Sequence, residues 1–148
     1  MAKEITKEEI MEEFSKGINC SQFVVRHFAD KLGLDKDLLT RLASGFEWGM
    51  EDGRICGAVT GAYMVLGLKY GNGDGPINDE AKEKKVTLTK KMKEFDERFK
   101  QRNSSVACKD LLGNKYPEEV ETIFEKNSLQ VACPKAVFDS IEILEELI

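Results

Sequence analysis

The chain has 148 residues, enough for one domain but too few for a second of full size. Charged residues make up 33% of the sequence and hydrophobic residues 41%, a balance that excludes an intrinsically disordered chain. The net charge of −5 gives no support to nucleic-acid binding.

The start of the chain carries acids and lysines throughout and lacks the apolar segment of a secretory signal. The longest nearly apolar stretch, residues 58–68, is much shorter than the roughly 18 residues that a membrane-crossing helix requires. We therefore expect a cytoplasmic protein with no membrane insertion and no nucleic-acid partner.

Helical spacing of apolar residues recurs along the chain, whereas the alternation typical of strands is scarce. We predict an all-α fold, a single domain over residues 1–148 built as a bundle of about seven or eight helices. The predicted helices run from Thr6 to Gly17, from Asn19 to Gly33, and over residues 36–44, 54–69, 79–102, 105–112, 117–126 and 134–147.

The helix predicted over residues 54–69 is small and apolar nearly all round, which indicates a central position in the bundle. Gly57, Ala58 and Gly61 leave one side of it almost without side chains. One explanation is a cofactor that lies beside Cys56 and contacts these three residues. The other is close helix packing, which the residues alone favour slightly.

The helix predicted over residues 79–102 has an amphipathic stripe formed by Leu88, Met92, Phe95 and Phe99. Its outer face is rich in lysine, whereas residues 117–148 are strongly acidic. A long stripe and opposed charge blocks favour a homodimer.

The four cysteines, Cys20, Cys56, Cys108 and Cys133, are far apart in the sequence and form no CxxC pair. Each falls at the predicted start of a helix, where unpaired N–H groups and the helix dipole stabilise a thiolate and lower its pKa. Thiolate is the form that binds a metal or attacks a disulfide. If the four helix starts converge, they create a metal site.

Two simpler interpretations stand beside this hypothesis. A free cysteine is often just a small buried hydrophobic residue. The single histidine, His27, lies about 10.5 Å along the helix from Cys20, so we interpret it as a satisfied or half-exposed residue rather than a ligand.

The motif Cys-Gly-Ala-Val-Thr-Gly at residues 56–61 resembles the central motif of a family of redox-active proteins named for a C, GCAxxG, C, C cysteine pattern. Three other segments follow in matching order: Asn19-Cys20-Ser21-Gln22, residues 108–113, and Cys133 with the acidic helix after it. The resemblance covers roughly residues 13–147. The loop before the motif departs from it, with Glu47 and Trp48 where further glycines are expected, so Trp48 is predicted to shield a site or to change access to it.

The resemblance implies a small helical prokaryotic protein whose redox activity depends on its cysteines. The family is also similar to the cysteine-bearing part of split-Soret cytochromes, which implies an iron–sulfur centre. The chain has no CxxCH motif, so haem c is excluded.

Our first hypothesis makes Cys20, Cys56, Cys108 and Cys133 ligands of an iron–sulfur cluster or another thiolate-bound metal. The protein would then transfer electrons to or from an unidentified redox partner. The second hypothesis is thiol–disulfide chemistry, in which two of these cysteines form a reversible disulfide and act as catalytic residues of an oxidoreductase. The third is a non-catalytic helical adaptor with structural cysteines.

Overall fold

The computed structural model describes residues 5–112 and 127–148. These residues form seven α-helices and no strand, so the predicted all-α, single-domain fold is confirmed. The helices are α1 (Lys7–Ser15), α2 (Cys20–Ala29), α3 (Lys36–Ala43), α4 (Gly57–Tyr70), α5 (Asp79–Asn103), α6 (Cys108–Leu111) and α7 (Asn127–Leu147).

The first two helices begin where the sequence predicts. The N–H of Glu9 donates to Thr6 Oγ1 at 3.2 Å, which satisfies one of the free donors at the start of α1. At the start of α2, the N–H of Asn19 donates to Gln22 Oε1 at 3.1 Å. These contacts fix Cys20 as the first residue of α2.

Two predicted helix starts in the middle of the chain are wrong. Helix α4 begins at Gly57 rather than at residue 54, and α6 begins at Cys108 rather than at residue 105. The reason is an isolated antiparallel bridge between Ile55 and Ala107, which holds both preceding segments extended.

The predicted start of the last helix is also wrong. Helix α7 begins at Asn127, so Pro134 lies inside it rather than at its first turn. Proline removes only one backbone donor, and the helix continues through it. The helix predicted over residues 117–126 lies outside the described part of the chain.

Helix α4 lies at the centre of the bundle, as predicted, and packs against α2, α5 and α7. Its closest neighbour is α2. The close approach is evident at Gly61, where an added Cβ atom would lie 2.9 Å from Ser21 O and 3.0 Å from Val24 Cβ. The missing side chain at Gly61 therefore allows the two helix backbones to approach.

Helix α7 packs apolar side chains into the core and also makes polar contacts with the rest of the bundle. Ser140 Oγ, which is buried, donates to the carbonyl of Ala58 at 2.8 Å. On the surface, Arg98 of α5 pairs with Glu146 at 2.7 Å, and Arg102 pairs with Glu142 at 2.8 Å. Part of the acidic block thus pairs with arginines of its own chain.

The amphipathic stripe of α5 is confirmed: Phe95 and Phe99 are fully buried, and Leu88 and Met92 pack against the same core. Helix α5 is the longest of the described helices, and its mean hydropathy is low. Across residues 5–112 and 127–148, we find no helix with the length and apolar content needed to span a bilayer.

Candidate four-cysteine site

All four cysteines line one cavity of about 350 Å³. It lies between α1, α2, α4, α6 and α7, and its walls are mostly apolar. Besides the cysteines, the wall consists of Met11, Phe14, Ser15, Asn19, Trp48, Gly57, Leu111, Leu112 and Ala136.

Cys56 and Cys108 are positioned by the antiparallel bridge. The N–H of Cys56 donates to the carbonyl of Val106 at 2.7 Å, and the N–H of Cys108 donates to the carbonyl of Arg54 at 2.6 Å. Each cysteine then leads directly into a helix, so the bridge fixes two helix starts side by side. Both side chains are buried.

Cys20 reaches the cavity from the start of α2 and lies directly beside Gly57. A Cβ atom added at Gly57 would overlap Cys20 Sγ and would lie 3.0 Å from the backbone nitrogen of Ser21. Gly57 is therefore the residue that admits the Cys20 thiol next to Cys56.

Cys133 lies within the second turn of α7, not at a helix start as the sequence predicts. It packs with Trp48 against a small apolar cluster formed by Cys108 and Leu112. Three of the four cysteines thus lie at helix starts, and the fourth reaches the same cavity from within a helix.

Burial raises the pKa of every one of these thiols. The pKa of Cys108 rises to about 12, first through burial and then through the charge of Cys20. The pKa of Cys133 also rises well above its ordinary value, through burial and then through the three other cysteines. The mutual effect shows that the four thiols lie close enough to influence one another's ionisation.

The sequence predicts the opposite pKa shift, and for the reduced thiols that prediction is wrong. Helix N–H groups do reach the sulfurs: those of Ala58 and Val59 lower the pKa of Cys56, and that of Ser21 lowers the pKa of Cys20. Loss of solvent outweighs them, because a thiolate in an apolar cavity lacks the hydration it has in water. The thiols are therefore neutral near pH 7.

A left-handed turn forms the rim of the cavity beside Cys20. Trp48, Gly49, Met50 and Glu51 all have φ between 56° and 61°, a conformation that costs ordinary residues roughly 1–2 kcal/mol each. The turn directs the backbone N–H of Trp48 to Cys20, which lowers the pKa of that thiol against the larger effect of burial. A Cβ atom added at Gly49 would lie 2.9 Å from Cys108 Cβ. The turn thus lies next to Cys20 through Trp48 and next to Cys108 through Gly49.

Glycine in place of Glu51 is expected to stabilise the protein by about 0.5–1 kcal/mol, since glycine adopts positive φ without strain but loses more entropy on folding. Chemical denaturation measures the change. The matched control is Asp52→Gly, one residue later and outside the positive-φ residues, which is expected to destabilise the protein. Equal effects of the two substitutions would contradict a strained turn.

Helix α1 closes one side of the cavity through Met11 and Phe14. Phe14→Ala is expected to raise the rate at which iodoacetamide modifies Cys20 and Cys133 by about tenfold, because it opens the wall without touching a sulfur. Peptide-resolved mass spectrometry measures the rates. Ile10→Ala, a core residue of α1 that does not line the cavity, is the control for general loosening of the helix. If Cys20 and Cys133 are modified equally fast in both variants, Phe14 does not limit the access of the reagent to the cavity.

Two residues predicted to contact a cofactor have other neighbours. Gly61 faces Ser21 and Val24 of α2, and the carbonyl of Ala58 accepts the hydrogen bond from Ser140. Of the three, Gly57 lines the cavity. Cofactor binding by these residues stays a prediction.

His27 lies away from the cysteines. Its Nε2 atom is 3.3 Å from a carboxylate oxygen of Glu145, and its side chain is mostly buried. The interpretation of His27 as a satisfied residue is confirmed.

Helix α1 is part of the site, because Met11 and Phe14 line the cavity, but no sequence motif predicts this. The only available signal was the apolar face of α1.

Within the described residues, no three His, Cys, Asp or Glu side chains are arranged to hold one metal ion.

A family model described as "Putative redox-active protein (C_GCAxxG_C_C)" matches residues 18–147, most of the chain. The comparison with curated proteins and the comparison with solved structures each returned no match. The matched range contains all four cysteines that line the cavity. The chain therefore belongs to this family of redox-active proteins with the C, GCAxxG, C, C cysteine pattern.

Proposed function

We propose that the protein is an electron carrier whose four cysteines bind one iron–sulfur cluster. The observation that carries the proposal is the convergence of Cys20, Cys56, Cys108 and Cys133 on a single apolar cavity. Four cysteine thiolates are the standard ligand set of such clusters. The cluster would supply the one-electron chemistry.

The size of the cavity supports a group of several atoms. A volume of about 350 Å³ far exceeds that of a single ion, and the thiols are not gathered around one point. A zinc tetrathiolate requires four sulfurs at about 2.3 Å from one centre. The arrangement therefore favours a cluster over one zinc ion.

Groups of the protein itself would affect the binding of the cluster, the stability of the ligated sulfurs and the access of solvent. The thiols are neutral at rest, so binding releases their protons, and affinity is expected to rise with pH. The N–H groups that reach Cys20 and Cys56 would then stabilise the ligated sulfurs. Met11 and Phe14, which precede the residues matched by the family model, would limit solvent access.

Anaerobic reconstitution with ferrous iron and sulfide tests the proposal. We expect bound iron and acid-labile sulfide, together with visible absorption that bleaches when dithionite reduces the protein. Cys56→Ala is expected to lose most of the iron, whereas Met11→Ala, which alters a cavity residue without a thiol, is expected to retain it. Colourless wild-type protein without iron would overturn the proposal, and bound zinc would appear in the same elemental analysis.

Thiol–disulfide chemistry is the second candidate, and the close approach of Cys20 to Gly57 and Cys56 favours it. In that case two thiols would form one disulfide and pass two electrons and two protons to a disulfide of the partner, which becomes a dithiol. Differential alkylation before and after mild oxidation would then reveal one defined, reversible pair.

Free thiols of this kind persist in a reducing compartment, so we place either function in the cytoplasm, with a redox partner still to be identified.

A further inference from the structure

A side-chain hydrogen bond joins the start of α2 to the left-handed turn at the rim of the cavity. Asn19 Nδ2 donates to Glu47 Oε2 at 2.6 Å, across 28 positions of the sequence. Asn19 directly precedes Cys20, and Glu47 directly precedes Trp48. The bond therefore joins the neighbours of two residues that line the same cavity. A hydrogen bond to a carboxylate is stronger than one between neutral groups, and this one is partly buried.

The turn needs such a contact because its own conformation is unfavourable. Three of its four residues are not glycines, yet they have positive φ, and residues in this region persist only where the surrounding structure holds them. A second side-chain contact to this segment, from Thr60 Oγ1 to the carbonyl of Phe46, is longer at 3.3 Å. The same hydroxyl also lies 3.2 Å from the carbonyl of Gly57, and its one proton is shared between them. The hydrogen bond from Asn19 to Glu47 is thus the stronger attachment.

The position of Glu47 is unfavourable for a carboxylate. The pKa of Glu47 is raised, first by partial loss of solvent and also by the charge of Glu51, although the hydrogen bond from Asn19 lowers it. The charge of Glu47 in turn raises the pKa of Cys20, so it gives no help to thiolate formation. The benefit of Glu47 to the site is therefore its hydrogen bond to Asn19.

We propose that Glu47 is a positioning residue of the four-cysteine site: through its hydrogen bond to Asn19 it holds Trp48 at the rim of the cavity. In that place the backbone N–H of Trp48 is directed to Cys20, and the indole packs with Cys133 against the same apolar cluster. The effect on a bound cluster rests on the proposed function, because an N–H group that donates to a ligated sulfur is one of the groups that set a reduction potential. The position of Trp48 itself requires no metal.

Substitutions at the two ends of the bond separate this role from a general loss of stability. Asn19→Asp replaces the donor by a second carboxylate but keeps a side-chain oxygen that can cap α2, so it opposes Glu47 without removing the cap. Adding Glu47→Gln to this variant restores the bond in the reverse direction, since the new amide donates to the new carboxylate. Glu47→Gln alone keeps an acceptor for Asn19, whereas Glu47→Ala leaves none.

Trp48 is the single tryptophan of the chain, so its fluorescence reports on the rim alone. In the reduced, metal-free protein we expect the acrylamide quenching constant to rise about twofold or more in Asn19→Asp and in Glu47→Ala. Amide exchange at Trp48, followed by NMR, should become about tenfold faster in the same two variants. Wild-type values of both quantities are expected in Glu47→Gln and in the double variant of Asn19→Asp with Glu47→Gln.

Asp35→Ala is the control for loss of stability, since it removes the side-chain cap of α3 and should leave both Trp48 measurements unchanged. If Asn19→Asp does not fold, Glu47→Ala against Glu47→Gln gives the same comparison. Trp48 signals that ignore the loss of the bond, or a double variant that responds as strongly as Asn19→Asp alone, would overturn the proposal. A chain that binds no iron but shows the expected pattern would overturn the electron carrier and support the positioning role.

Discussion

Raising the pH from about 8 to about 10 is expected to lower the free energy of unfolding of the metal-free, reduced protein by up to about 8 kcal/mol. The cause is the set of four buried thiols, whose pKa values all lie above those of the unfolded chain. Each ionising thiol contributes about 1.4 kcal/mol per pH unit between the two pKa values.

The direction follows from the sign of the shift. An unfolded thiol ionises near pH 8.5, whereas the pKa of Cys108 in the folded chain is about 12. Stability from the neutral thiol is therefore complete below about pH 8.5 and is lost as the pH rises toward the folded pKa. Urea denaturation at several pH values, with reductant and chelator present, measures the loss.

The control for the pH prediction is a chain with all four cysteines replaced by alanine. It should lose much less stability between pH 8 and pH 10, although Tyr63, whose pKa is raised first by burial and then by Asp96, adds a further loss at higher pH. If the quadruple variant does not fold, Cys56→Ala with Cys108→Ala should show about half the loss. If the free energy of unfolding of the wild-type protein did not change between pH 8 and pH 10, this would contradict the conclusion that the thiols are buried and neutral.

Alanine in place of Gly61 is expected to destabilise the protein by about 1–3 kcal/mol. Within a helix, glycine to alanine ordinarily stabilises by up to about 1 kcal/mol. Here the added Cβ would press on the Ser21 carbonyl and on Val24 across the contact between α2 and α4. Because one of the two is backbone, the helices must move apart to relieve the overlap.

Gly67 provides the matched control for Gly61 in the same helix. A Cβ atom added there meets nothing within 4 Å, so Gly67→Ala is expected to stabilise the protein by about 0.5–1 kcal/mol. Thermal unfolding of both variants against wild type gives the comparison. If both substitutions stabilise the protein, the helices α2 and α4 are not in the close contact described above.

Much of the fold could be predicted because its determinants are local. The stripe from Leu88 to Phe99 and the contact between Asn19 and Gln22 depend on spacings of three and four residues, which the sequence shows directly. The extended segments before Cys56 and Cys108 could not be predicted in this way. They pair residues about fifty positions apart, and neither segment alone has a strand signature.

The sequence predicted that the four cysteines converge, but it did not predict the direction of their pKa shifts. The N–H groups near Cys20 and Cys56 follow from helix starts, which are local features. The burial that outweighs them depends on α1 and α7 closing over the cavity, a tertiary effect. Likewise, Gly49 and Gly53 indicate a turn, but nothing in Met50 or Glu51 indicates positive φ.

The most direct test of the account is the protection of each cysteine in the reconstituted, iron-loaded protein. Peptide-resolved alkylation should find Cys20, Cys56, Cys108 and Cys133 protected together, each in proportion to the iron bound, and all four released by a chelator. Protection of only some of them, with the rest reacting as fast as in the metal-free chain, would contradict a single group bound by all four.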